Sequence, residues 1–267
     1  MRAYAFAAYL FLYLPIWIIV LFSFTAGRHA SELRGLSIQW YGKAASNPFV
    51  TEALGTSLTI AITSAVLATV GGTMAALGLQ RVRGALRVAF DALTYIAIMV
   101  PGIVIGISTL IALVTLFDAV NPLLDALWPG QEPVFGLGLG SVIAAHSLFA
   151  TALVIVIVRA RLHGMDRTLV EAASDLYATP WGAFRQVTLP QLAPAIVAGF
   201  LLCFTFSFDD FVVAFFVAGS ETTLPIYVFS SIRRGVTPEI NAIATVVLAF
   251  SLTMLLGAQW LVRRRAR

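Results

Sequence analysis

Charged residues are scarce in this sequence. Only 11% of its 267 residues are Asp, Glu, Lys or Arg, whereas 60% are hydrophobic, and the mean hydropathy is +0.92. A chain of this length with this composition has too few polar residues to cover the surface of a water-soluble globular protein. The composition therefore excludes an ordinary soluble protein and predicts an integral membrane protein.

Three residue types with frequent chemical uses are also scarce. Cys203 is the only cysteine, which excludes an intrachain disulfide and a CxxC metal site. Lys43 is the only lysine and lacks the flanking residues of a phosphate-binding P-loop, so we expect no ATP site in this chain. His29, His146 and His163 are too scattered to predict a metal cluster. His146 lies alone within an apolar run, where we expect a hydrogen bond that serves packing.

Long apolar runs, in contrast, are abundant. A membrane-spanning helix needs about 20 mostly apolar residues, and six stretches meet this requirement. They are predicted near residues 4–24, 58–79, 93–116, 137–157, 192–217 and 240–262. The stretches between them are too short to bury a core of their own. The sequence predicts an all-α integral membrane protein with six transmembrane helices in a single domain, 1–267.

The basic residues predict the orientation of this bundle. With six spans, twelve of the seventeen Lys and Arg residues fall on the side that holds both termini. The side richer in basic residues is expected to be cytoplasmic. A signal peptide is a weaker interpretation of the first span, because its apolar stretch exceeds the usual length of about 7 to 15 residues. Both termini are thus predicted to be cytoplasmic, and topology explains the basic charge without a nucleic-acid partner.

Two features within the predicted spans go beyond a plain apolar helix. Pro101 and Gly102 interrupt the third span near its middle, which either lines a cavity or is an ordinary packed kink. Asp209 and Asp210 lie within the fifth span, where a carboxylate is costly unless an aqueous path, a partner or an ion offsets the cost. We expect one aspartate to face a translocation pathway and the other to cap or brace a helix, because adjacent helical positions point in different directions. Phe208 beside them is a further candidate for the pathway, although packing is the alternative.

A polar connector lies between the fourth and fifth spans, at about residues 159–191 on the predicted cytoplasmic side. Asp166 is a candidate cap for a first short helix that includes Arg167. Thr179 and Pro180 are typical of an N-cap and a first helical position, and predict a second short helix that Pro190 closes. The connector could rest on the membrane surface as an amphipathic segment, or dock in a groove of another protein.

The spacing within this connector resembles the EAA signature of ABC importer permeases. The matching residues are Glu171, Ala172, Ala173, Tyr177, Val187, Leu189 and Pro190. Tyr177 stands where the signature has glycine, and tyrosine tolerates a left-handed backbone poorly. We therefore expect the turn between the two short helices to be re-formed or shifted. Residues 207–248 are similar to the same region of spermidine/putrescine permeases, and the similarity covers most of the chain.

The resemblance implies a type I ABC importer permease-like bundle in the bacterial inner membrane. The implied partners are a sister permease subunit, a dimer of a cytoplasmic ATPase that holds ATP and Mg, and a periplasmic substrate-binding protein. The segment around Glu171 is then the coupling helix, seated in a cleft of the ATPase. The chain itself is implied to be a non-catalytic transport subunit without a cofactor. Spermidine or putrescine is the implied cargo, and other organic cations, opines, phosphonates, iron and thiamine are alternatives.

Two other functional classes are less consistent with the sequence. An ion-coupled secondary transporter carries its own proton or sodium site and often shows an inverted repeat, which we do not find here. A membrane enzyme that uses Asp209 and Asp210 as acid and base is disfavoured, because neighbours on one helix cannot readily converge on one bond. The sequence thus favours a permease that an external ATPase drives.

Overall fold

The computed structural model describes residues 2–29, 34–127, 129, 135–166 and 168–265, which are mostly helical. In chain order the helices are α1 (Arg2–Ser23), α2 (Gln39–Ser46), α3 (Pro48–Gly78), α4 (Gly84–Met99), α5 (Gly102–Leu127), α6 (Leu139–His163), α7 (Thr168–Asp175), α8 (Pro180–Ala183), a π-helical turn (Phe184–Thr188), α9 (Leu189–Asp209), α10 (Val212–Val217), α11 (Leu224–Arg234) and α12 (Pro238–Arg265). Within the described ranges, six helical segments are long and apolar enough to cross a membrane. They are Tyr4–Ser23, Pro48–Gly78, Gly102–Leu127, Leu139–His163, Pro180–Asp209 and Pro238–Gly257. The predicted fold class and number of spans are confirmed.

Two helices extend beyond the predicted spans into polar turns. α3 begins at Pro48 instead of near residue 58, since the side-chain oxygen of Asn47 accepts a hydrogen bond from the backbone N–H of Phe49 at 3.1 Å. α6 continues to His163 instead of ending near residue 157. Helical geometry therefore covers polar turns at the membrane boundary that a hydropathy window leaves out.

The third span requires a correction at Pro101. The predicted span, 93–116, had this proline near its middle, but α4 ends at Met99 and the spanning helix α5 begins at Gly102. Val100 has an extended backbone, as steric contact with the following proline requires. Pro101 thus marks the boundary between two helices and is not a kink within one span.

The fifth span begins earlier than predicted. The helix that starts at Pro180 continues through the π-helical turn into α9, so Pro190 does not close a short helix. The backbone N–H of Leu189 donates to the carbonyl oxygen of Phe184 across that turn. Pro190 lacks an N–H and is tolerated in the first turn of α9, where proline is favoured. The connector outside the spanning helices is consequently shorter than predicted and covers 164–179.

The far end of the fifth span also differs from the prediction. α9 stops at Asp209 instead of running to residue 217. Asp210 has an extended backbone, and the short helix α10 starts two residues later, at Val212. The aspartate pair therefore lies at a break between two helices, where backbone groups become available for side-chain hydrogen bonds.

The chain falls into two compact units. The first comprises Met1–Thr56 and Thr222–Leu255, and the second comprises Ser57–Glu221 and Leu256–Arg267. In the first unit, the indole N–H of Trp40 donates to the carbonyl oxygen of Thr25 at 2.9 Å, and the Ser23 and Tyr41 hydroxyls are 2.6 Å apart. These contacts attach α2 to the end of α1.

Asn47 connects three helices of the first unit. Its side-chain nitrogen donates to the hydroxyl of Tyr227 on α11 at 3.2 Å and to a carboxylate oxygen of Glu239 on α12 at 2.8 Å. Since the same residue caps α3, a single amide side chain joins the start of α3 to α11 and α12.

Close contact between small residues holds the second unit together around α6. A Cβ atom added at Gly72 of α3 would lie 2.6 Å from Cβ of Val154 on α6. A Cβ atom added at Gly199 of α9 would lie 3.6 Å from the methyl carbons of the same valine, which is an ordinary contact distance. Small residues allow helices to approach closely where lipid provides no hydrophobic driving force. The glycine at position 72 therefore allows the close approach of α3 to α6.

An ion-pair cluster attaches α4 to α6. The Asp91 carboxylate accepts hydrogen bonds from Arg159 and, at 3.4 Å, from Arg87. Arg87 also donates to the carbonyl oxygen of Leu79 at 2.8 Å. The hydrogen bond and charge of Arg159, with a smaller effect of Arg87, hold the pKa of Asp91 below its ordinary value of 3.8.

Candidate functional site

The connector 164–179 begins with a capped helix. One carboxylate oxygen of Asp166 accepts hydrogen bonds from the backbone N–H and the hydroxyl of Thr168, at 2.9 and 2.8 Å. The predicted capping role of Asp166 is thus confirmed. These two hydrogen bonds lower the pKa of the Asp166 carboxyl from its ordinary value. Arg167, predicted in the same helix, lies outside the described residues.

α7 ends in a turn centred on Tyr177, which we call the elbow (residues 173–179). Tyr177 has a φ of +60°, the left-handed conformation that favours glycine. The N–H of Ala178 donates to the carbonyl oxygen of Ala173, and the N–H of Tyr177 donates to that of Ser174, both at 3.0 Å. These paired hydrogen bonds form a Schellman helix end.

The expectation that tyrosine avoids a left-handed backbone at this turn is wrong. Tyr177 itself adopts that conformation, which glycine takes most readily. The left-handed conformation costs a residue with a Cβ atom about 1–2 kcal/mol. The two backbone hydrogen bonds offset this cost, so the elbow is a strained turn of ordinary shape.

The second short helix starts as predicted. The hydroxyl of Thr179 accepts a hydrogen bond from the backbone N–H of Gly182 at 3.1 Å, and Pro180 occupies the first turn. Because the helix continues into α9, Leu189 and Pro190 lie at the start of α9, within the fifth spanning segment. The predicted signature residues are therefore distributed between α7, the elbow and the fifth span.

The elbow and the first turn of α8 expose large apolar side chains. Tyr177 is 96% exposed, Leu176 is 81% exposed and Trp181 is 68% exposed. Glu171 and Ala172 on α7 are exposed as well, and Ala173 is half-buried. Apolar side chains grouped beside a carboxylate on a non-spanning surface are typical of a protein contact site.

Glu171 also lines a cavity of about 610 Å³ next to the elbow. The ends of α3 and α6, together with α7 and the π-helical turn, form its walls. Its polar lining residues are Gln80, Arg81, Asp166, Glu171 and Thr188. The carboxylates of Asp166 and Glu171 and the guanidinium of Arg81 allow this cavity to hold a charged side chain of a partner protein.

A second cavity, of about 310 Å³, lies within the second unit, between α4, α5, α6, α9 and α10. Most of its lining is apolar, with Ile98, Ile105 and Val212 among the wall residues. Phe149 and Phe206 add two aromatic rings whose centroids are 5.0 Å apart. We call this space the intramembrane cavity.

Three polar side chains meet at this cavity. Nδ1 of His146 on α6 lies 2.7 Å from the hydroxyl oxygen of Ser207 on α9, and Nε2 lies 3.3 Å from Oδ2 of Asp210. The same Oδ2 accepts hydrogen bonds from the backbone N–H groups of Val213 and Ala214, at 2.9 and 3.1 Å. Asp210 thus caps α10 and lines the cavity at the same time.

The other predicted pathway residues do not line this cavity. Asp209 is exposed at the end of α9. Phe208 is buried, and its ring stacks on that of Phe204 with centroids 5.9 Å apart, as packing predicts. Pro101 is exposed, although its neighbour Gly102 belongs to the lining. Of the four candidates, the structure brings only Asp210 to the cavity.

Sequence reasoning did not find the pairing of His146 with Ser207 and Asp210. The hydrogen bond expected for His146 is present, but its partners come from a helix far along the chain. One signal was available: Ser207 and Asp210 are three residues apart, which places them on one face of a helix, opposite a lone polar residue in another span. Among the described residues, no group of three His, Cys, Asp or Glu side chains could hold a metal ion.

Known proteins resemble this chain over most of its length. Residues 68–267 match the family described as "Binding-protein-dependent transport system inner membrane component". The putrescine transport system permease protein PotI of Escherichia coli (strain K12) is 41% identical over 242 residues, which cover 89% of this chain and 82% of PotI. The spermidine/putrescine transport system permease protein PotC of Haemophilus influenzae is 37% identical over 264 residues, which cover 98% and 96%.

The fold is also found among solved structures. A bacterial ABC transporter involved in the import of the acidic polysaccharide alginate superposes with a TM-score of 0.74, covering 98% of this chain and 93% of that one. The two sequences are 18% identical, so this likeness concerns the fold alone.

Proposed function

Because the chain belongs to the family of binding-protein-dependent transport system inner membrane components, we propose that it is the permease subunit of an ATP-driven importer for polyamines. The observation that carries this proposal is the similarity to putrescine and spermidine/putrescine permeases along nearly the whole chain. As a membrane permease of this family it is a transport component and not an enzyme. The polyamine cargo follows from the relatives' names, and the carboxylate in the intramembrane cavity is consistent with a cationic cargo.

The proposed assembly has the chain as one half of a translocation pathway in the bacterial inner membrane. A sister permease subunit supplies the other half, and a periplasmic binding protein delivers the polyamine. A dimer of cytoplasmic ATPase subunits binds ATP and Mg, so this chain itself needs no cofactor. The multi-pass helices and the basic residues on the predicted cytoplasmic side agree with this arrangement.

We infer that the elbow and α7 form the contact with the ATPase. Glu171 supplies a carboxylate at the edge of a cavity, and Leu176, Tyr177 and Trp181 supply exposed apolar surface next to it. A central apolar patch beside a charged group is how protein contacts combine affinity with specificity. Movement of the ATPase subunits then reaches the spanning helices through Pro180, because the helix that starts there continues into α9.

Uptake by a purified complex tests this function. The complex is isolated through a tag on this chain from cells that produce it and placed in proteoliposomes with its binding protein. We expect uptake of radiolabelled putrescine or spermidine only when the ATPase is present and ATP is available on its side. A mutant ATPase unable to hydrolyse ATP is the matched control.

Two results would overturn the proposal. Full uptake by the chain without any ATPase subunit would instead indicate an ion-coupled secondary transporter. ATP-dependent uptake of another solute that excess polyamine does not reduce would show a permease of the same family with a different cargo.

A further inference from the structure

The helical run that leads from the elbow into the spanning region has a weak segment near its start. Pro180–Asp209 is continuous, but it contains the π-helical turn Phe184–Thr188, followed by Pro190 and Pro194. Neither proline has an N–H group to donate to the preceding turn. Prolines and π-helical turns are positions at which helices bend. We call residues 184–194 the hinge segment.

The helix has different neighbours on the two sides of the hinge segment. Beyond it, α9 is bound to α6, since the thiol of Cys203 donates to the carbonyl oxygen of Ala150 at 3.4 Å. At its start, the exposed ring of Trp181 stacks on Phe184 with centroids 5.5 Å apart, next to the elbow. A displacement of α8 would bend the hinge segment unless another contact holds this segment to α6.

Arg161 provides such a contact. It lies in the last turn of α6, and its Nε donates to the carbonyl oxygen of Gln191 at 3.0 Å. Gln191 is located between Pro190 and Pro194. A hydrogen bond from a charged guanidinium is stronger than one between neutral groups. The side chain of Arg161 therefore attaches the hinge segment to α6 where the prolines remove backbone donors.

The end of α6 that carries Arg161 is itself held in place. Arg159, two residues earlier, donates to the carboxylate of Asp91 on α4, which also accepts a hydrogen bond from Arg87 at 3.4 Å. Arg159 and Arg161 thus connect the same end of α6 to α4 and to α9. Because the ion pair limits the movement of this end, α6 provides a fixed point for the hinge segment.

We propose that Arg161 is a positioning residue for transport, which holds the hinge segment at Gln191 so that a displacement of α8 moves α6 and α9 together instead of bending this segment. This inference rests on the proposed function, because the displacement is the one that the ATPase imposes on the elbow. When the hydrogen bond is lost, the ATPase stays attached and active, but the hinge segment bends and less of the displacement reaches α9.

Putrescine uptake per ATP hydrolysed tests this role in the reconstituted complex. Arg161→Met keeps a long side chain but removes every hydrogen-bond donor. We expect uptake per ATP to fall by about fivefold, as for loss of one partly solvated hydrogen bond, with the ATPase retained on purification. Arg161→Lys keeps a charged donor and should recover at least about half of the loss.

Arg83→Met is the matched control. This exposed arginine precedes α4 on the same predicted side of the membrane, and its side chain does not cap that helix. Its removal changes the charge equally, so uptake per ATP should stay within about twofold of the wild type. Equal losses in Arg83→Met and Arg161→Met would overturn the proposal, as would an unchanged ratio in Arg161→Met.

A second-site variant tests the hinge segment itself. Pro194→Ala restores a backbone N–H that can donate to the carbonyl oxygen of Pro190. Combined with Arg161→Met, it should recover about half of the lost uptake per ATP, because a helix with this hydrogen bond bends less. No recovery in the double variant would count against the hinge and overturn the proposal.

A distance measurement that keeps Arg161 makes the test decisive if Arg161→Met does not assemble. Spin labels at the exposed positions His163 of α6 and Gln186 of the hinge segment report their separation by pulsed EPR. Cys203 is fully buried and should not take the label. We expect the same narrow distance without nucleotide and with ATP bound to a hydrolysis-deficient ATPase. A shift or broadening with ATP would overturn the proposal.

The positioning role and the proposed function fail in different ways. ATP-driven uptake of another solute with the same dependence on Arg161 would refute the polyamine cargo and keep the positioning role. Normal putrescine uptake per ATP in Arg161→Met would refute the positioning role alone.

Discussion

In the elbow, interacting groups lie within a few positions of one another along the chain, as the hydrogen bond from Ala178 to Ala173 shows. In the intramembrane cavity, His146 meets Ser207 from a helix 61 residues further on. The elbow is stabilised locally and leaves its side chains exposed, whereas the cavity depends on the packing of several helices. This difference means that each region can be altered without the other, and that each should fail in its own way.

The largest effect is expected from reversing the charge of Glu171. Glu171→Lys places an ammonium group at the proposed ATPase contact, so we expect uptake to fall by at least about tenfold and the ATPase to be lost on purification. Thermal stability of the chain should not change, because Glu171 is exposed. Glu52→Lys, at an exposed position of α3 outside α7 and the elbow, is the matched control. An equal loss in both variants would mean that the complex responds to charge reversal in general and not at Glu171.

A mutation in the packed helices should affect the cavity and leave the elbow unaltered. In Gly72→Ala, the added Cβ would lie 2.6 Å from Cβ of Val154 and 3.0 Å from the carbonyl oxygen of Thr151. We expect α3 and α6 to be pushed apart and the free energy of unfolding to fall by about 1–3 kcal/mol. Gly71→Ala is the control, since its Cβ would meet nothing within 4 Å. Thermal unfolding in detergent measures both, and equal stabilities would contradict the close packing.

A smaller effect, of opposite sign, is expected at the elbow. Tyr177→Gly removes the left-handed strain at φ +60°, although glycine also makes the unfolded chain more flexible. The net stabilisation should be about 0.5–1 kcal/mol, and limited proteolysis of the connector should become slower. Ala178→Gly lacks a positive φ to relieve and should have the opposite effect. If Tyr177→Gly speeds cleavage as much as the control does, the turn is not strained in the way described.

The smallest effect concerns the ion-pair cluster between α4 and α6. Because the pKa of Asp91 is lowered in the folded protein, its charge stabilises the fold above the ordinary value of 3.8, and this stabilisation is lost as the pH falls through the lower folded pKa. The stability difference between wild type and Asp91→Asn should therefore be present at neutral pH and disappear in acid. A difference that does not depend on pH would contradict the ion pairing. Asp118→Asn, at an exposed position of α5, is the control.

The sequence predicted the local features of both regions better than the distant ones. Thr179 and Asp166 were predicted as caps because a cap depends on residues two or three positions away. The expectation that Tyr177 avoids a left-handed backbone was wrong. Hydrogen bonds donated by the backbone N–H groups of Ala178 and Tyr177 outweigh the preference of the side chain. A local sequence pattern predicts the conformation that a residue prefers, but not the conformation that hydrogen bonds of neighbouring residues stabilise.

The span boundaries and the cavity show what lies beyond such patterns. Hydropathy placed Pro101 in the middle of a span because α4 and α5 are both apolar, although the extended residue before the proline ends the first helix. Pro190 was expected to end a helix, but the π-helical turn before it lets the helix continue. The spacing of Ser207 and Asp210 indicates a shared face, but it does not show that this face meets His146, because the contact between α6 and α9 depends on packing around Val154.

In the proposed importer, the elbow couples the chain to its ATPase, whereas Asp210 provides a carboxylate for a cationic cargo at the intramembrane cavity. The most direct test of these two roles is the ratio of putrescine uptake to ATP hydrolysis in reconstituted complexes carrying Glu171→Lys or Asp210→Asn. We expect Glu171→Lys to lower uptake and hydrolysis together, because the ATPase detaches. We expect Asp210→Asn to lower uptake but to leave the ATPase bound and active. Release of the ATPase from Asp210→Asn, or unchanged uptake in both variants, would contradict these roles.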